Sequence, residues 1–433
     1  MTQSCSSSMP SSASFTQLGL MPELVQCLTE LNYSNPTPIQ QQAIPEILAK
    51  QSIIGQAKTG SGKTAAFALP ILQLNMAQRK QTQGNGVSSL ILVPTRELAQ
   101  QVADSIKHYG QRLSPRLKVK AVYGGQSVNT QMLALRGGAD ILVATPGRLL
   151  DLVANNAIKL HQVKHFILDE ADRMLSLGFS EELAQIQKQL PTQKQILLFS
   201  ATFPDEVKVL ADQLLQKPVV INVINDDVEQ RLTQRVITVN RDRKTGLLIE
   251  LIKQNNWRQL LIFGSAKHTC NRVAQKLSKA GIKAEVFHSD KGQGARNRIL
   301  SGFKNGDIDV LIATDIAARG IDIEKLPVVI NYELPRSPMD YMHRIGRSAR
   351  AGESGLAITL IAHDEYQHFK LIEKKNKLRL KREQVEGFEA DDQAPLDCPS
   401  RQVIAQAKPE GTGKKKRKQA RKENESIWKK PSV

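Results

Sequence analysis

Short apolar runs rich in β-branched residues alternate with longer amphipathic stretches along most of the chain, and this alternation narrows its possible folds more than any other feature. "SIIGQA" (52–57) precedes "TAAFALPILQLNMAQ", "SLILVPT" (89–95) precedes "RELAQQVADSIKHYG", "DILVATPGR" (140–148) precedes "LLDLVANN", and "HFILDEAD" (165–172) precedes a polar loop and a further amphipathic run. Strands buried on both faces and joined by helical crossovers make a parallel sheet. The pattern lapses over "INVINDDVEQRLTQ" (221–234), then resumes with "LLIFGSAK", "KAEVFHSD", "DVLIATD", "PVVINYELP" and "GLAITLIA". The expectation is an α/β protein of two parallel-sheet lobes, residues 15–222 and 235–368, with a linker at 223–234. No fixed-period repeat is visible, so any kinship between the lobes is one of shape.

The ends differ from this body. Residues 1–14 are Ser-rich without an apolar core, and no run of about 18 apolar residues occurs, so neither a leader nor a membrane span is expected. Residues 369–433 form a basic extension that opens with "KLIEKKNKLRLKRE", a helical stretch, and closes with "KKKRKQARKENESIWKKPSV", which has almost nothing to bury and is expected to be disordered. The formal charge of +18, from 60 Lys and Arg against 42 Asp and Glu, suits a polyanionic partner, nucleic acid first. The four cysteines, Cys5, Cys27, Cys270 and Cys398, are scattered and imply neither a zinc site nor a disulfide framework. A reducing compartment follows, with the cytoplasm the expected location.

Two local motifs carry chemistry. In "AKTGSGKT" (57–64), Gly60 and Gly62 bracket Ser61 ahead of Lys63, so the backbone can turn tightly and aim N–H groups at phosphate oxygens. Lys63 would reach the β- and γ-phosphates and the Thr64 hydroxyl would ligate magnesium. Ala57 stands where the usual signature has glycine, which costs little at negative φ. In "FILDEAD" an apolar strand ends in Asp169 and Glu170, an arrangement in which the first acid holds Mg2+ and the second positions or deprotonates a water.

With "PTPIQ", "PTRELAQ", "GG", "TPGR", "SAT", "LIFGSAK", "QGAR", "ATDIAARGID" and "HRIGRSAR" following in order, the chain from about Phe15 to about Gly355 resembles the DEAD-box ATP-dependent RNA helicases of superfamily 2, bacterial type. The resemblance implies two tandem RecA-like domains, an RNA-stimulated ATPase using ATP and Mg2+, and local, non-processive remodelling of RNA duplexes. It also implies that Ala57 is the family's own variant of the phosphate loop, whose remaining residues are Lys58, Thr59, Gly60, Ser61, Gly62, Lys63 and Thr64.

Roles carried over from the family fall on matching residues. Gln40 would read the adenine edge, since an amide donates and accepts at once, with Phe15 and Tyr33 flanking the base and Asp322 near the ribose. Arg347 and Arg350 would be the arginine fingers, because guanidinium forks stabilise charge spread over a transferring phosphoryl group. His343 would couple lobe two to the acidic segment, and Asp172, Ser200 and Thr202 would link the ATP site to strand separation. RNA backbone contacts would come from Thr95, Arg96, Gly124, Gly125, Thr145, Gly147 and Arg148 in lobe one and from Arg296, Thr314 and Gly320 in lobe two. Aromatics are only 4% of the chain, so recognition by sugar-phosphate contacts is expected over base stacking. Departures are Asn32 and Ser289 where the family often has Gly, and Ser348-Ala349 for its usual Thr-Gly. Asn32 tolerates left-handed backbone, whereas Ser289 would object to it.

An ATP-gated RNA clamp that unwinds little and a DNA-directed translocase remain rival readings. The intact acids and fingers favour turnover, and the "DEAD" and "PTPIQ" pair favours RNA. Among RNA targets, ribosomal precursor and messenger RNA complexes both suit the chain.

Overall fold

The computed structural model describes residues 14–57, 60–77, 84–223, 232–318, 326–348 and 355–391. Seven strands, β1 (Ile53–Ala57), β2 (Val87–Leu92), β3 (Val119–Val122), β4 (Ala139–Ala144), β5 (His165–Leu168), β6 (Gln195–Ser200) and β7 (Val219–Val223), build one parallel sheet in the order β3-β4-β2-β5-β6-β1-β7. Seven more, β8 (Leu232–Thr238), β9 (Leu260–Gly264), β10 (Ala284–Phe287), β11 (Val310–Thr314), β12 (Val328–Asn331), β13 (Gly355–Ile361) and β14 (Arg382–Glu383), build a second in the order β10-β11-β9-β12-β13-β8-β14. Helices cover both faces of each sheet, which is why β2, β5, β6, β9 and β11 are buried from end to end and are mostly apolar.

The two orders coincide place for place, so the lobes are kin in shape. The equivalence reaches single residues. Lys63 opens the helix after β1, and Lys244 opens the helix after β8. Lobe two lacks the glycines of the first loop, however, and the Lys244 ammonium donates to the Tyr332 and Leu360 carbonyls and to Glu365. All three of its donors are taken by the protein, and none is left for a phosphate.

Two expected boundaries shift. β8 begins inside the stretch expected to be linker, of which residues 224–231 lie outside the described set. Lobe two also continues past residue 368. The helix Tyr366–Asn376 buries Phe369 and Ile372 against the helix Pro338–Ile345, β14 pairs with β8, and Phe388 packs on Gly246 with the Arg243 guanidinium over its ring. The basic stretch after residue 368 is thus helical only in its first half, because Leu378 and Leu380 turn back onto the core. Residues 1–13 and 392–433, including the "KKKRK" segment, lie outside the described residues.

Candidate active site and RNA interface

β1 runs straight into the phosphate loop, where Lys58 and Thr59 lie outside the described residues. Gly60 (φ +75°) and Gly62 (φ +90°) both take left-handed backbone. At Gly62 a Cβ would lie 2.4 Å from Gln40 Nε2, so glycine is required there twice over. Lys63 is buried and donates to the Ala57 carbonyl at 2.8 Å; Ser61 precedes it and Thr64 follows on the same turn. Gln40, 1% exposed, donates to the Gly62 carbonyl at 3.1 Å and accepts from the Thr37 N–H at 2.9 Å. One N–H and one lone pair of its amide remain for a base edge. The aromatic pair divides. Tyr33 is 38% exposed, with its hydroxyl bonded to that of Tyr109, while Phe15 is packed into the lobe-one core. Asn32 is left-handed (φ +60°), and Ser289 is not among the residues with positive φ, which removes the objection to serine there.

Asp169 and Glu170 follow β5. Glu170 takes φ +55°, ψ +52° as it caps the short helix Ala171–Ser176, a conformation that L residues other than Asn and Asp seldom adopt and that tends to mark functional sites. Burial pushes the Asp169 carboxyl up to about 7, against the pull of the Lys63 ammonium. Glu170 is as buried, but the cations of Arg173, Lys63 and Arg347 outweigh burial and hold it at about 2. Arg173 donates to Glu170 Oε2 at 2.8 Å. Among the described residues no group of three or more His, Cys, Asp or Glu converges on a point. Mg2+ needs none, being held by one or two protein oxygens and the substrate's phosphates. Asp169 and Thr64 supply such hard oxygens, and a buried carboxyl so reluctant to ionise fits a site completed by a cation.

Arg347 and His343 belong to lobe two, yet the Arg347 charge reaches Glu170, so the lobes face each other across the acidic segment. Burial first, then the Arg173 cation, pushes the His343 imidazole below its ordinary range. Asp172 Oδ2 accepts from the Thr202 N–H at 3.0 Å and the Thr202 hydroxyl at 2.6 Å, and the Asp172 N–H reaches Ser200 Oγ at 3.3 Å. The Thr202 hydroxyl also lies 3.5 Å from Met339 Sδ on the lobe-two helix. The coupling residues are therefore brought together. Arg350 and Asp322 lie outside the described residues.

In the RNA set, Thr95 caps the helix Arg96–Tyr109 by accepting from the Leu98 N–H at 3.3 Å. Gly124 and Gly125 lie against the Arg96 guanidinium; a Cβ on Gly125 (φ +84°) would sit 2.0 Å from Arg96 Nη1. Thr145 follows β4 at the N-cap of the helix Pro146–Ala154, Gly147 lies open, and Arg148 is buried and donates to the Gln126 carbonyl at 3.1 Å. Arg296 pairs across the lobes with Glu97 at 3.0 Å, both side chains buried, and Thr314 ends β11. Gly320 lies outside the described residues.

Three residues escape sequence reasoning: Arg173, Glu97 and Arg344. Arg344 binds both Asp315 carboxylate oxygens, Asn331 Oδ1 and the Glu333 carbonyl, and so locks the helix that carries His343. Only the first arginine of "HRIGRSAR", for which the family roles leave no use, points to it.

The DEAD/DEAH box helicase family model matches residues 37–210, and the helicase conserved C-terminal domain matches residues 243–352. The DEAD-box ATP-dependent RNA helicase RhpA of Helicobacter pylori is 39% identical over 362 residues, 83% of this chain and 72% of its own length. CshA of Listeria monocytogenes, an ATP-dependent RNA helicase, is 37% identical over 84% of this chain and 69% of its own length. Among solved structures, S. cerevisiae Dbp5 bound to RNA and ADP BeF3 matches with TM-score 0.74 at 29% identity, covering 86% of this chain and 96% of that one. Mss116 bound to ssRNA and UDP-BeF gives 0.77 at 27% identity, over 88% and 81%. A DEAD box protein of Methanococcus jannaschii gives only 0.51 at 38% identity, over 86% and 99%.

Proposed function

The chain belongs to the DEAD-box ATP-dependent RNA helicases, and from that premise we propose that ATP and one RNA strand together draw the two lobes into the arrangement described above, bending the strand and locally prying a short duplex apart. The observation that carries this is the convergence of Lys63, Asp169 and Glu170 from lobe one with His343 and Arg347 from lobe two. Asp169 and Thr64 would hold Mg2+, which when bound would offset charge on the nucleotide's phosphates. Gln40 and the open ring of Tyr33 select adenine, and Lys63 orients the phosphates. Glu170, kept ionised by the cations around it, accepts a proton from the attacking water. Arg347 meets the charge that develops on the phosphoryl oxygens. Arg350 and Asp322 are assigned to the second finger and the ribose on resemblance alone. Hydrolysis removes the γ-phosphate and with it the contact that favours closure. No helix among the described residues is long and apolar enough to cross a membrane, and we place the enzyme in the cytoplasm.

Because the catalytic groups are split between lobes, ATPase activity is low without RNA and rises at least tenfold with a short single strand. Displacement of one strand from a duplex of about ten base pairs requires ATP. A matched DNA strand stimulates little. Equal rates with and without RNA would reject the split-site reading, and equal stimulation by DNA would reject the preference for RNA.

A second result follows from the Asp172–Thr202 pair. Thr202→Val keeps the shape and removes the 2.6 Å hydrogen bond. RNA-stimulated hydrolysis stays within about threefold of wild type, while duplex displacement per ATP falls about tenfold or more. Parallel loss of both activities would place Thr202 in catalysis and not in coupling.

A further inference from the structure

On the far side of lobe one, away from the strand ends that carry the ATP and RNA groups, the end of the helix Arg96–Tyr109 and the start of β3 enclose a groove of about 330 Å³. Leu72, Ile106, Leu117 and Val119 contribute its apolar lining, and Lys107, Arg116, Lys118 and Lys120 its charge; no acid lines it. Lys107 pairs with Asp104 at 2.9 Å on the helix's own surface, with both side chains close to half exposed. Lys118 makes one long contact to the Gly137 carbonyl.

The groove's place in the fold gives it meaning. Two neighbouring elements connect it to the RNA contacts. The helix Arg96–Tyr109 starts at the RNA-contact residues Thr95 and Arg96 and ends at the groove. β3 starts at the groove and runs back to Gly124 and Gly125, and the Tyr123 hydroxyl ties its far end to Gln100 in the helix's second turn. A helix of 14 residues spans about 21 Å at 1.5 Å per residue. That is roughly six stacked nucleotides at about 3.4 Å each.

We propose that this groove is a second, nucleotide-independent RNA subsite, which holds the phosphates of the segment continuing past the cleft. The inference rests on the RNA-helicase reading and deepens it. Four cations outnumber the acids beside them, Asp104 on Lys107 and Asp140 on the Lys118 N–H, and favour a polyanion, while a rigid helix–strand pair fixes its distance from the primary contacts. Lysines on flexible stems suit a backbone held as a row of point charges, without sequence preference. Strands that fill only the cleft would not reach the groove. Strands longer by about six nucleotides or more would.

The test uses the full chain and the variant Lys107→Ala/Lys118→Ala/Lys120→Ala, none of whose positions lies in the ATP or cleft RNA machinery. Binding of oligo(U) of about 7 and about 20 nucleotides is measured over a range of salt, together with RNA-stimulated ATPase. For the long RNA the variant's log affinity against log salt slope falls by roughly two, at about 0.7 per single-strand phosphate contact. The RNA concentration for half-stimulation rises several-fold. For the short RNA both quantities match wild type, and the maximal ATPase rate is unchanged on either strand. The basic tail is present in both proteins, so its contribution cancels. An unchanged slope on the long RNA overturns the proposal, as does an equal loss on both lengths, which would mean that the substitutions act through the cleft. A variant that keeps its RNA slope but loses binding to an oligoglutamate peptide would reassign the groove to acidic protein segments. Failure of the short RNA to stimulate the wild-type ATPase would instead count against the helicase reading itself.

Discussion

Glu170→Gln lowers the RNA-stimulated turnover of ATP by about 10²- to 10⁴-fold, the usual contribution of a positioned general base, while ATP and RNA binding persist. The substitution keeps the shape and one accepting oxygen for Arg173, and replaces the charge and the second acceptor with an amide NH2 that cannot take a proton from water. Left-handed backbone at residue 170 is retained, since the strain lies in the main chain and the two side chains branch alike. Without hydrolysis the protein accumulates with its lobes closed on ATP and RNA, so RNA dissociates more slowly from the variant than from wild type in the presence of ATP. The pH profile gives an independent check. Glu170 is depressed to about 2 in the folded protein by the cations facing it. It is therefore ionised across the neutral range, and any acid limb of the wild-type profile above about pH 4 belongs to another group. A Glu170→Gln protein that turned over ATP at the wild-type rate would remove the residue from water activation.

The parts of the molecule legible in the sequence are those whose physics is local. A strand covered on both faces is mostly apolar, so β2, β4, β5, β9 and β11 can be recognised from their own residues. Edge strands take their order from the neighbour's ladder. β7 exposes Val220, and the two residues of β14 carry no pattern of their own. The folded segment after residue 368 was hidden for a related reason. Its anchors Leu378, Leu380, Val385 and Phe388 are too sparse among charges to show a period. In the site, the loop glycines and the two acids are local necessities and were visible. The Arg173–Glu170 and Arg296–Glu97 pairs join residues whose motifs look complete without them. The second of these crosses the lobes, and only a folded chain can display it.

Arg347→Ala removes most of the RNA-stimulated rate, about 10³-fold or more, the range typical of an arginine finger in phosphoryl transfer. Arg347 is 6% exposed, and its charge is felt at Glu170 although the two residues belong to different lobes. Its loss has two consequences that can be separated. One is the missing guanidinium fork at the developing charge on the phosphoryl oxygens. The other is one cation fewer holding Glu170 ionised, which raises that carboxyl. Arg173 and Lys63, which depress Glu170 more strongly than Arg347 does, both remain, so the base stays ionised at neutral pH. The residual rate of Arg347→Ala therefore keeps the wild-type pH dependence between about pH 6 and 8, and the loss resides in the transition state. Arg347→Lys restores the charge without the planar fork and recovers little. Nucleotide affinity changes far less than turnover, because the ground-state phosphates are held by the loop and Lys63. The fold has reason to survive, since the Leu326 N–H bonds to the backbone carbonyl of residue 347 and Arg344, with its own partners, anchors the helix. Full rescue by lysine, or an acid limb moved into the neutral range, would mean that Arg347 acts by tuning Glu170 and does not meet the phosphoryl group.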